Sequence, residues 1–240
     1  MLIFAEFALA NDIDFEITTD FFSKYIWRGQ NLGDDYVFQT GLSAKYKNLS
    51  AAIWGNLELT NINGNSSDFS ELDYSFTYSG SIEDVEGLGY DIGVIYYDFP
   101  GTTTKDTTEL YWSLYFDLPL NPSITVYHDI DQAEGSYVSF AVEHSIEQIV
   151  NIAPDMPVGC DIGASLGWAS ASYNKYYWGT EQSKLQDFSV SISFPMDIAG
   201  WTLAPGLNYV TLLSDDIRDT DVYGTDSDFF FTGISLSKIF

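Results

Sequence analysis

The sequence predicts an all-β protein, an up-and-down antiparallel transmembrane β-barrel of about 12 strands. Three observations support this prediction. Apolar and polar side chains alternate with a period of two along nearly the whole chain, helix signals are almost absent, and short and long links alternate. No stretch approaches 18 consecutive apolar residues, which excludes a transmembrane α-helix. A barrel strand needs only about 9–11 alternating residues to cross a membrane.

Each predicted strand rests on its own alternation. In the sixth segment, Leu110, Trp112 and Leu114 share one face, whereas Glu109 and Ser113 share the other. The same pattern recurs before and after it. The predicted strands, in order, are 13–27, 36–47, 49–60, 69–82, 88–98, 107–118, 122–131, 135–147, 157–169, 185–197, 200–213 and 228–240.

The links between these strands set the orientation of the barrel. One end has tight links and the other has long links rich in Asp, Asn, Gly, Ser and Thr, at 28–35, 61–68, 99–106, 170–184 and 214–227. Outer-membrane barrels have short periplasmic turns and longer extracellular loops. An even number of strands then places both termini in the periplasm. A single helical turn is predicted around 146–152, within the longer link 148–156.

A soluble β-sandwich or jelly roll is the rival architecture, because it also alternates. Its apolar face is a core filled mainly by aliphatic side chains. Here aromatic residues collect at the ends of the apolar faces, as at Phe15 against Tyr25 and Trp27, and at Trp168 and Trp201. Amphipathic rings at headgroup level are typical of a lipid-facing band. The aromatic pattern therefore favours a barrel in the bacterial outer membrane.

The composition excludes several classes of function. The chain has 9 Lys+Arg against 35 Asp+Glu, a formal net charge of −26, so it repels phosphate backbones and nucleic-acid binding is excluded. The 45% hydrophobic content is too high for a disordered chain. A single cysteine, Cys160, excludes an intrachain disulfide and a zinc site built from cysteines.

The two ends of the chain carry export and assembly signals. Residues 1–10 are apolar apart from Glu6 and end in Ala8-Leu9-Ala10, which resembles the tail of a secretory signal. We expect 1–10 to be a signal remnant and 11–240 to be one outer-membrane barrel domain, the alternative for 1–10 being a short buried strand. The last strand ends on Phe240, the kind of terminus that the barrel-assembly machinery reads. The expected surroundings are outer-membrane lipid and lipopolysaccharide.

Two motifs carry a family resemblance. Tyr25-Ile26-Trp27-Arg28-Gly29-Gln30 ends the first predicted strand, and Gly233-Ile234-Ser235-Leu236-Ser237-Lys238-Ile239-Phe240 closes the chain. Together they resemble the conserved-hypothetical outer-membrane family labelled Gcw_chp, whose members begin with a Y-x-[W/F]-R-G signature and end in a similar strand. The resemblance implies an outer-membrane β-barrel. It implies no catalytic residues.

Catalysis is not expected. His128 and His144 are the natural general bases, and both fall on apolar faces. Ser145 projects to the opposite face from its neighbour His144, so these two cannot form a nucleophile–base pair. We therefore predict a protein that is not an enzyme, without catalytic residues and without a cofactor.

The last long link contains a weak divalent-cation candidate. Asp219 and Asp221 begin like an EF-hand loop, but Tyr223 and Phe230 stand where oxygen ligands belong. An EF-hand is therefore excluded. What remains is a loose divalent site at Asp219, Asp221 and Asp226, or alternatively a solvated acidic loop.

The charge of the inward face is the observation that points to function. By strand parity, fifteen carboxylates face inward against four cations, Lys24, Arg28, Lys45 and Lys47. Burying so many unpaired carboxylates in a dry interior would cost several kcal/mol each, so a hydrated lumen is expected. Arg28 is predicted to pair with strand or loop carboxylates at the outer mouth, such as Asp34 or Asp35. The alternative role for Arg28 is binding of an anionic solute. The predicted pore-lining residues are Asp20, Arg28, Glu58, Asp73, Asp91, Glu109, Asp117, Asp129, Glu143 and Asp161.

These observations predict a narrow, passive, cation-preferring pore for small solutes. One alternative is a plugged structural barrel whose acidic loops bind a protein partner or another copy of the chain. The second alternative is a barrel enzyme acting on lipid or peptide.

Overall fold

The computed structural model describes residues 13–61, 64 and 67–240; the predicted signal remnant 1–10 lies outside these residues. The described elements are β1 (Ile13–Phe22), β2 (Tyr25–Trp27), β3 (Gln30–Gly33), β4 (Val37–Tyr46), β5 (Leu49–Glu58), β6 (Phe69–Ser81), β7 (Leu88–Asp98), β8 (Thr107–Phe116), β9 (Ser123–Asp129), β10 (Ser136–Ala153), β11 (Met156–Ala169), α1 (Ala171–Trp178), β12 (Lys184–Ser193), β13 (Met196–Ile198), β14 (Trp201–Leu212), α2 (Asp215–Arg218) and β15 (Asp228–Ile239).

Twelve of the described strands close into an antiparallel barrel: β1, β4 to β12, β14 and β15. Along the chain each barrel strand pairs with the next, and β1 pairs with β15, so that Phe21 lies opposite Ile234. The short strand β13 follows β12 after a break at Phe194 and Pro195 and pairs with both β11 and β14. The predicted fold class, an up-and-down barrel of twelve strands, is confirmed.

The outer surface of the barrel is apolar. Leu42, Ile53, Ile92 and Phe230 are 51%, 50%, 58% and 62% exposed, and they belong to a much larger set of exposed Leu, Ile, Phe, Tyr and Trp side chains. A continuous apolar exterior of this size requires a lipid environment, because soluble monomers rarely expose such patches. None of the described helices is both long and apolar enough to cross a membrane.

The alternate positions face the lumen and are polar. Gln39 of β4 and Asn56 of β5 are buried there, and the amide nitrogen of Gln39 donates to the amide oxygen of Asn56 at 3.0 Å. Hydroxyl pairs join other neighbouring strands across the same face, as between Ser165 and Ser189 at 2.7 Å. The period of two therefore separates a lipid-facing exterior from a polar interior.

The first predicted strand, 13–27, is wrong beyond Phe22. The chain leaves the barrel wall there, and β2 and β3 form a separate hairpin, residues 25–33, which we call the lumen hairpin. Its two-residue turn is Arg28-Gly29, with φ of 48° and 78°. Positive φ at both positions is the type I′ geometry that tight hairpins favour. Tyr25 and Trp27, predicted to lie in the lipid belt, instead line the lumen.

The helix prediction is also wrong in position. Residues 146–152 continue β10 as a strand, because their apolar residues are the β-branched Ile146, Ile149, Val150 and Ile152. The link 148–156 shrinks to Pro154 and Asp155. The described helices lie instead in the long links at the opposite end of the barrel.

The strands β10 and β11 extend beyond their neighbours as a ribbon. Pairing of β10 with β9 ends at Ala141, which lies opposite Ser123, whereas β10 continues to Ala153. The ribbon projects from the end that carries the short turns, which is the periplasmic end.

Candidate functional site

The lumen hairpin enters the barrel from the long-loop end. The side-chain nitrogen of Gln186, which is fully buried, donates to the main-chain carbonyl oxygen of Arg28 at 2.5 Å. Gly29 lies so close to the wall that a Cβ there would be 2.7 Å from Leu212 Cδ2 and 3.0 Å from the Asp187 Cβ. Glycine is required at this position both for its positive φ and for this close approach. The hairpin tip is therefore fixed against the inner wall.

Arg28 is the centre of the constriction that the hairpin forms. Its side chain is 8% exposed and forms a two-pronged ion pair with Glu109, Nη1 to Oε1 at 2.7 Å and Nη2 to Oε2 at 2.8 Å. The guanidinium carbon lies 4.3, 4.2 and 4.7 Å from the ring centroids of Trp27, Tyr127 and Tyr137. The planar guanidinium group suits both contacts, stacking on rings and pairing with a carboxylate.

The predicted pairing of Arg28 with Asp34 or Asp35 is wrong. The tight turn reverses the chain, so Arg28 points down the lumen while Asp34 stays at the mouth. Asp34 pairs with Lys24 instead, and the hydrogen bond from Lys24 lowers the pKa of the Asp34 carboxyl below its ordinary value.

Tyrosine hydroxyl groups satisfy the carboxylates around Arg28. Tyr97 donates to Glu109 at 2.8 Å. Tyr25 donates to Glu71 at 2.8 Å, and Tyr137 donates to Asp187 at 3.0 Å. These neutral donors offset part of the cost of burying carboxylates without adding positive charge. A layer of buried carboxylates, which the sequence argument did not expect, therefore exists at this level of the lumen.

A row of tyrosine rings, each tilted against the next, lines one side of the constriction. Successive ring centroids are 5.7, 6.4, 5.8 and 4.5 Å apart, and the row runs through Tyr111, Tyr127, Tyr137, Tyr173 and Tyr177. The last two belong to α1, which begins at the N-cap Ser170 and ends at Gly179, where φ is 74°. The predicted link 170–184 therefore folds inward as a helix and covers the mouth.

The two helix-bearing loops pack on each other above the lumen. Trp178 is buried and its ring centroid lies 4.9 Å from that of Tyr223. Ile217 of α2 is fully buried against Trp178 and Leu212. The Nε of Arg218 donates to the main-chain oxygen of Leu212 at 2.6 Å, which fixes this loop to the end of β14.

Three cavities lie around the constriction. On the periplasmic side, Arg28 borders two of them, of about 420 and 270 Å³. On the outer side lies one of about 440 Å³, which we call the outer cavity. Trp27 and Tyr97 border both the outer cavity and the 420 Å³ inner one, and their ring centroids are 5.9 Å apart. A single layer of side chains thus separates the outside from the inner lumen at this point.

The predicted pore-lining residues lie in several different places. Arg28, Asp73 and Glu109 meet at the constriction. Glu58 borders the outer cavity, and Asp117 is exposed in the turn after β8. The remaining residues on the lumen face of the wall, apart from Asp129, are Asp20, Asp91, Glu143 and Asp161.

Asp129 has a structural role at the end of β9. It is fully buried and accepts hydrogen bonds from the main-chain N–H groups of Asp131 and Ala133 at 2.9 and 3.1 Å. Its other oxygen accepts from the Thr107 hydroxyl at 2.7 Å. Asp129 therefore shapes the tight link that follows it, as aspartates commonly do in turns.

The structure does not assemble a metal site from the acidic loop. Asp219 ends α2, and Asp221 and Asp226 are exposed in the loop that follows. Within the described ranges, no three His, Cys, Asp or Glu side chains are grouped closely enough to hold a metal ion.

Both histidines lie on the outer face of the barrel. His144 Nδ1 is 2.7 Å from the Pro119 carbonyl oxygen, and His128 Nδ1 is 2.9 Å from the Ser136 hydroxyl. The His128–Ser136 contact is a nucleophile–base geometry that the sequence reasoning missed. Within the described chain no side chain hydrogen-bonds the other ring nitrogen of His128, so a third group that would orient the base is lacking there.

Sequence reasoning also missed the tyrosines of the constriction. Tyr97, Tyr111, Tyr127 and Tyr137 occupy inward positions on four consecutive strands, β7 to β10. This recurrence was visible in the sequence as tyrosine on the polar faces. It was the signal for an aromatic wall inside the barrel.

Comparisons with known proteins bear on the fold. No protein-family model and no curated protein sequence matches the chain. Among solved structures it is similar to the KdgM porin, with a TM-score of 0.52 and 7% identity over 93% of this chain and 98% of that one. It is also similar to the NanC porin (TM-score 0.48, 12% identity, 94% and 98% covered) and to an outer membrane channel from Pseudomonas putida F1 (TM-score 0.48, 9% identity, 100% of both chains). At this identity the first likeness shows the fold alone, a closed antiparallel β-barrel of the outer-membrane type. Together with the apolar exterior, this fold places the chain in the bacterial outer membrane.

Proposed function

We propose that this protein is a narrow, passive outer-membrane channel for small solutes that prefers cations, with the lumen hairpin as its constriction. The observation that carries the proposal is the charge of the constriction. Glu71, Asp73, Glu109 and Asp187 surround it, and Arg28 is the cation among them. With one carboxylate paired to Arg28, the balance of the remaining groups is acidic.

The periplasmic half of the lumen is also negatively charged. Asp91, Glu143 and Asp161 lie on its face, and within the described chain none of them forms an ion pair. Lys45 is a cation on the same half, on β4. Carboxylates along a narrow pore raise the local concentration of cations and exclude anions. The lumen field therefore supports cation preference from the periplasmic end to the constriction.

The reversal potential across a planar bilayer under a KCl gradient tests this proposal. We expect a cation-selective potential that weakens as salt rises, because the Debye length falls from about 10 Å at 0.1 M to about 3 Å at 1 M. The triple variant Asp91→Asn, Glu143→Gln, Asp161→Asn should be less selective than the wild type, with the remaining preference coming from the constriction carboxylates. The matched control removes three carboxylates from the loop, Asp219→Asn, Asp221→Asn, Asp226→Asn, and should retain it. Anion preference of the wild-type protein overturns the proposal.

A plugged structural barrel is the second candidate, favoured by the tight packing of the lumen hairpin. Gln30 is 1% exposed and Gly29 contacts the wall closely, so the hairpin fills much of the outer lumen. In that case the long acidic loops would bind a protein partner or another copy of the chain. Absence of conductance from a correctly folded wild-type barrel would favour this function over the channel.

A further inference from the structure

The outer cavity lies on the extracellular side of the constriction and is of ligand size. Its volume of about 440 Å³ falls within the range of small-molecule sites. The lumen hairpin, the outer ends of β5 to β8, the link after β7 and helix α1 all contribute to its walls. A molecule held there would sit directly above the Trp27 and Tyr97 layer that separates it from the inner lumen.

The walls of the outer cavity combine aromatic rings with buried carboxylates. Trp27, Tyr97 and Tyr177 line it, and the Trp27 ring lies 5.9 and 5.7 Å from the other two centroids. Glu58 and Glu71 also line it and are 6% and 5% exposed. Ring faces attract cations through their quadrupole, and a carboxylate in a desolvated site adds a direct electrostatic attraction. This combination selects an organic cation over an anion or a neutral molecule.

The protein already encloses one organic cation in this way, namely the side chain of its own Arg28. The Arg28 guanidinium is packed among Trp27, Tyr127 and Tyr137 and paired with Glu109. Trp27 belongs to both settings, because it packs against Arg28 and also lines the outer cavity. The outer cavity thus repeats, one layer further out, the chemistry that holds Arg28.

Gln30 provides a second, independent indication of a ligand. Its side chain is 1% exposed and lines the outer cavity, yet its amide nitrogen has no hydrogen-bond partner in the described chain. A buried donor without a partner is costly, and an acceptor on a bound molecule would satisfy it. The ligand should therefore carry a carbonyl or hydroxyl oxygen besides its positive charge.

We propose that the outer cavity binds a small organic cation of the guanidinium or ammonium type that also carries a hydrogen-bond acceptor. The claim that this cation is the transported solute rests on the proposed channel function. The claim that the cavity binds it does not. The carboxylates of Glu58 and Glu71 attract the charge, the rings of Trp27, Tyr97 and Tyr177 enclose it, and Gln30 donates to the acceptor. Lys105, the cation among the lining residues, opposes binding from the exposed rim.

Calorimetric titration of the detergent-solubilised barrel tests the proposal with two probes. N-acetyl-arginine amide carries a guanidinium, and N-acetyl-citrulline amide replaces it by a neutral urea of nearly the same shape. We expect saturable 1:1 binding of the arginine probe and at least tenfold weaker binding of the citrulline probe. Lys105→Gln should tighten binding of the arginine probe about two- to threefold by removing like charge.

Variants of the lining residues test whether the arginine probe binds in the outer cavity. Glu58→Gln with Glu71→Gln should weaken the arginine probe at least tenfold, whereas Asp219→Asn with Asp221→Asn, which removes two carboxylates from a loop at the same end, should change it less than twofold. Should the first variant fail to show heat-modifiable migration on gels, Tyr177→Ala on helix α1, which lies outside the barrel wall, provides a second test and should also weaken binding.

Several outcomes would overturn the inference. They are absence of saturable binding, equal affinity for both probes, equal weakening by the cavity and loop variants, or tighter binding of a neutral sugar such as maltose than of the arginine probe. These outcomes do not depend on whether the channel proposal is correct. Binding without conductance overturns the channel alone, and selective conductance without saturable binding overturns the cation site alone.

Discussion

At the scale of single residues, Arg28 performs two tasks that lysine could not combine. Its guanidinium makes two parallel hydrogen bonds to Glu109 while its flat faces pack against Trp27, Tyr127 and Tyr137. An ammonium group lacks both the fork and the plane. Arginine is therefore required at this position because it alone makes the paired hydrogen bonds and the ring contacts together.

Removing one partner of this buried pair should cost more than removing both. Arg28→Ala leaves the Glu109 carboxylate buried and uncompensated, so we expect a loss of about 3–5 kcal/mol in unfolding free energy. The double variant Arg28→Met, Glu109→Gln should lose less than Arg28→Ala, since no uncompensated charge remains. Urea unfolding in micelles measures both. A loss in the double variant as large as that of Arg28→Ala would show that the uncompensated charge of Glu109 does not cause the cost.

Gly29 should be far more sensitive to substitution than a glycine of similar φ elsewhere. Gly29→Ala adds a methyl group 2.7 Å from Leu212 Cδ2 at a φ of 78°, whereas Gly224 has a φ of 99° with open space around the added carbon. Gly224→Ala should cost about 1 kcal/mol from backbone strain alone, and Gly29→Ala more. Thermal unfolding followed by gel mobility compares them. Equal shifts would mean that the hairpin tip is not fixed against the wall.

At the scale of elements, the barrel strands were predictable and the inserted segments were not. Period-two alternation determines a strand wherever one face meets lipid and the other meets water, so β4 to β9 lie close to their predicted bounds. The lumen hairpin also alternates, and nothing in a local pattern distinguishes a strand in the wall from one inside it. Only the Arg28-Gly29 turn marks the break, because both residues must adopt positive φ.

The candidate site was predictable in its charge but not in its contacts. Parity correctly placed Asp73 and Glu109 on the inner face, yet the partner of Arg28 lies 81 positions along the chain. Such a pairing follows from how far the hairpin reaches into the lumen, which no spacing rule encodes. The family resemblance built on residues 25–30 and 233–240 stays a prediction.

Neighbouring positions on β12 should respond oppositely to the same substitution. Ile192 pairs with Ile162, which is 43% exposed on the outer face, and Ser191 points into the lumen. Ile192→Arg places a charge in lipid near the middle of the strand and should cost about 2–4 kcal/mol. Ser191→Arg should be tolerated, as it faces an acidic lumen. Folding yield into lipid vesicles measures both, and an equal loss at the two positions would contradict the assigned faces.

The periplasmic ribbon should be dispensable for the barrel. Beyond Ala141, β10 has no partner in β9, so much of the ribbon pairs only with itself. Val150 lies opposite Val158, so replacing residues 151–157 by an Asn-Gly turn closes a shorter ribbon at that pair and should leave heat-modifiable migration and its transition temperature unchanged. A barrel that then failed to assemble would assign the ribbon a role in assembly.

At the scale of the whole molecule, the two halves of the lumen handle their negative charge differently. The inner half keeps carboxylates such as Asp91 and Asp161 on a wall of small and hydroxyl-bearing residues, where water can reach them. The outer half packs them around Arg28 and satisfies them with tyrosine hydroxyls. The resistance of the barrel to ion flow should therefore be concentrated at the lumen hairpin.

Shortening the lumen hairpin should test that distribution directly. Tyr25 lies opposite Gly33, so replacing residues 26–32 by Asn-Gly closes a shorter hairpin at that pair and withdraws Trp27 and Arg28 from the lumen. Single-channel conductance in KCl should rise several-fold, because Trp27 and Arg28 no longer fill the space between the outer and inner cavities. Cation preference should persist or increase, since the lost residues include Arg28 while Glu109 and Asp187 remain on the wall and become hydrated. The ribbon variant lacking 151–157 serves as the control and should conduct like the wild type. Unchanged conductance in the shortened variant would place the constriction elsewhere, and a silent wild type beside a conducting variant would identify the hairpin as a plug that closes the barrel.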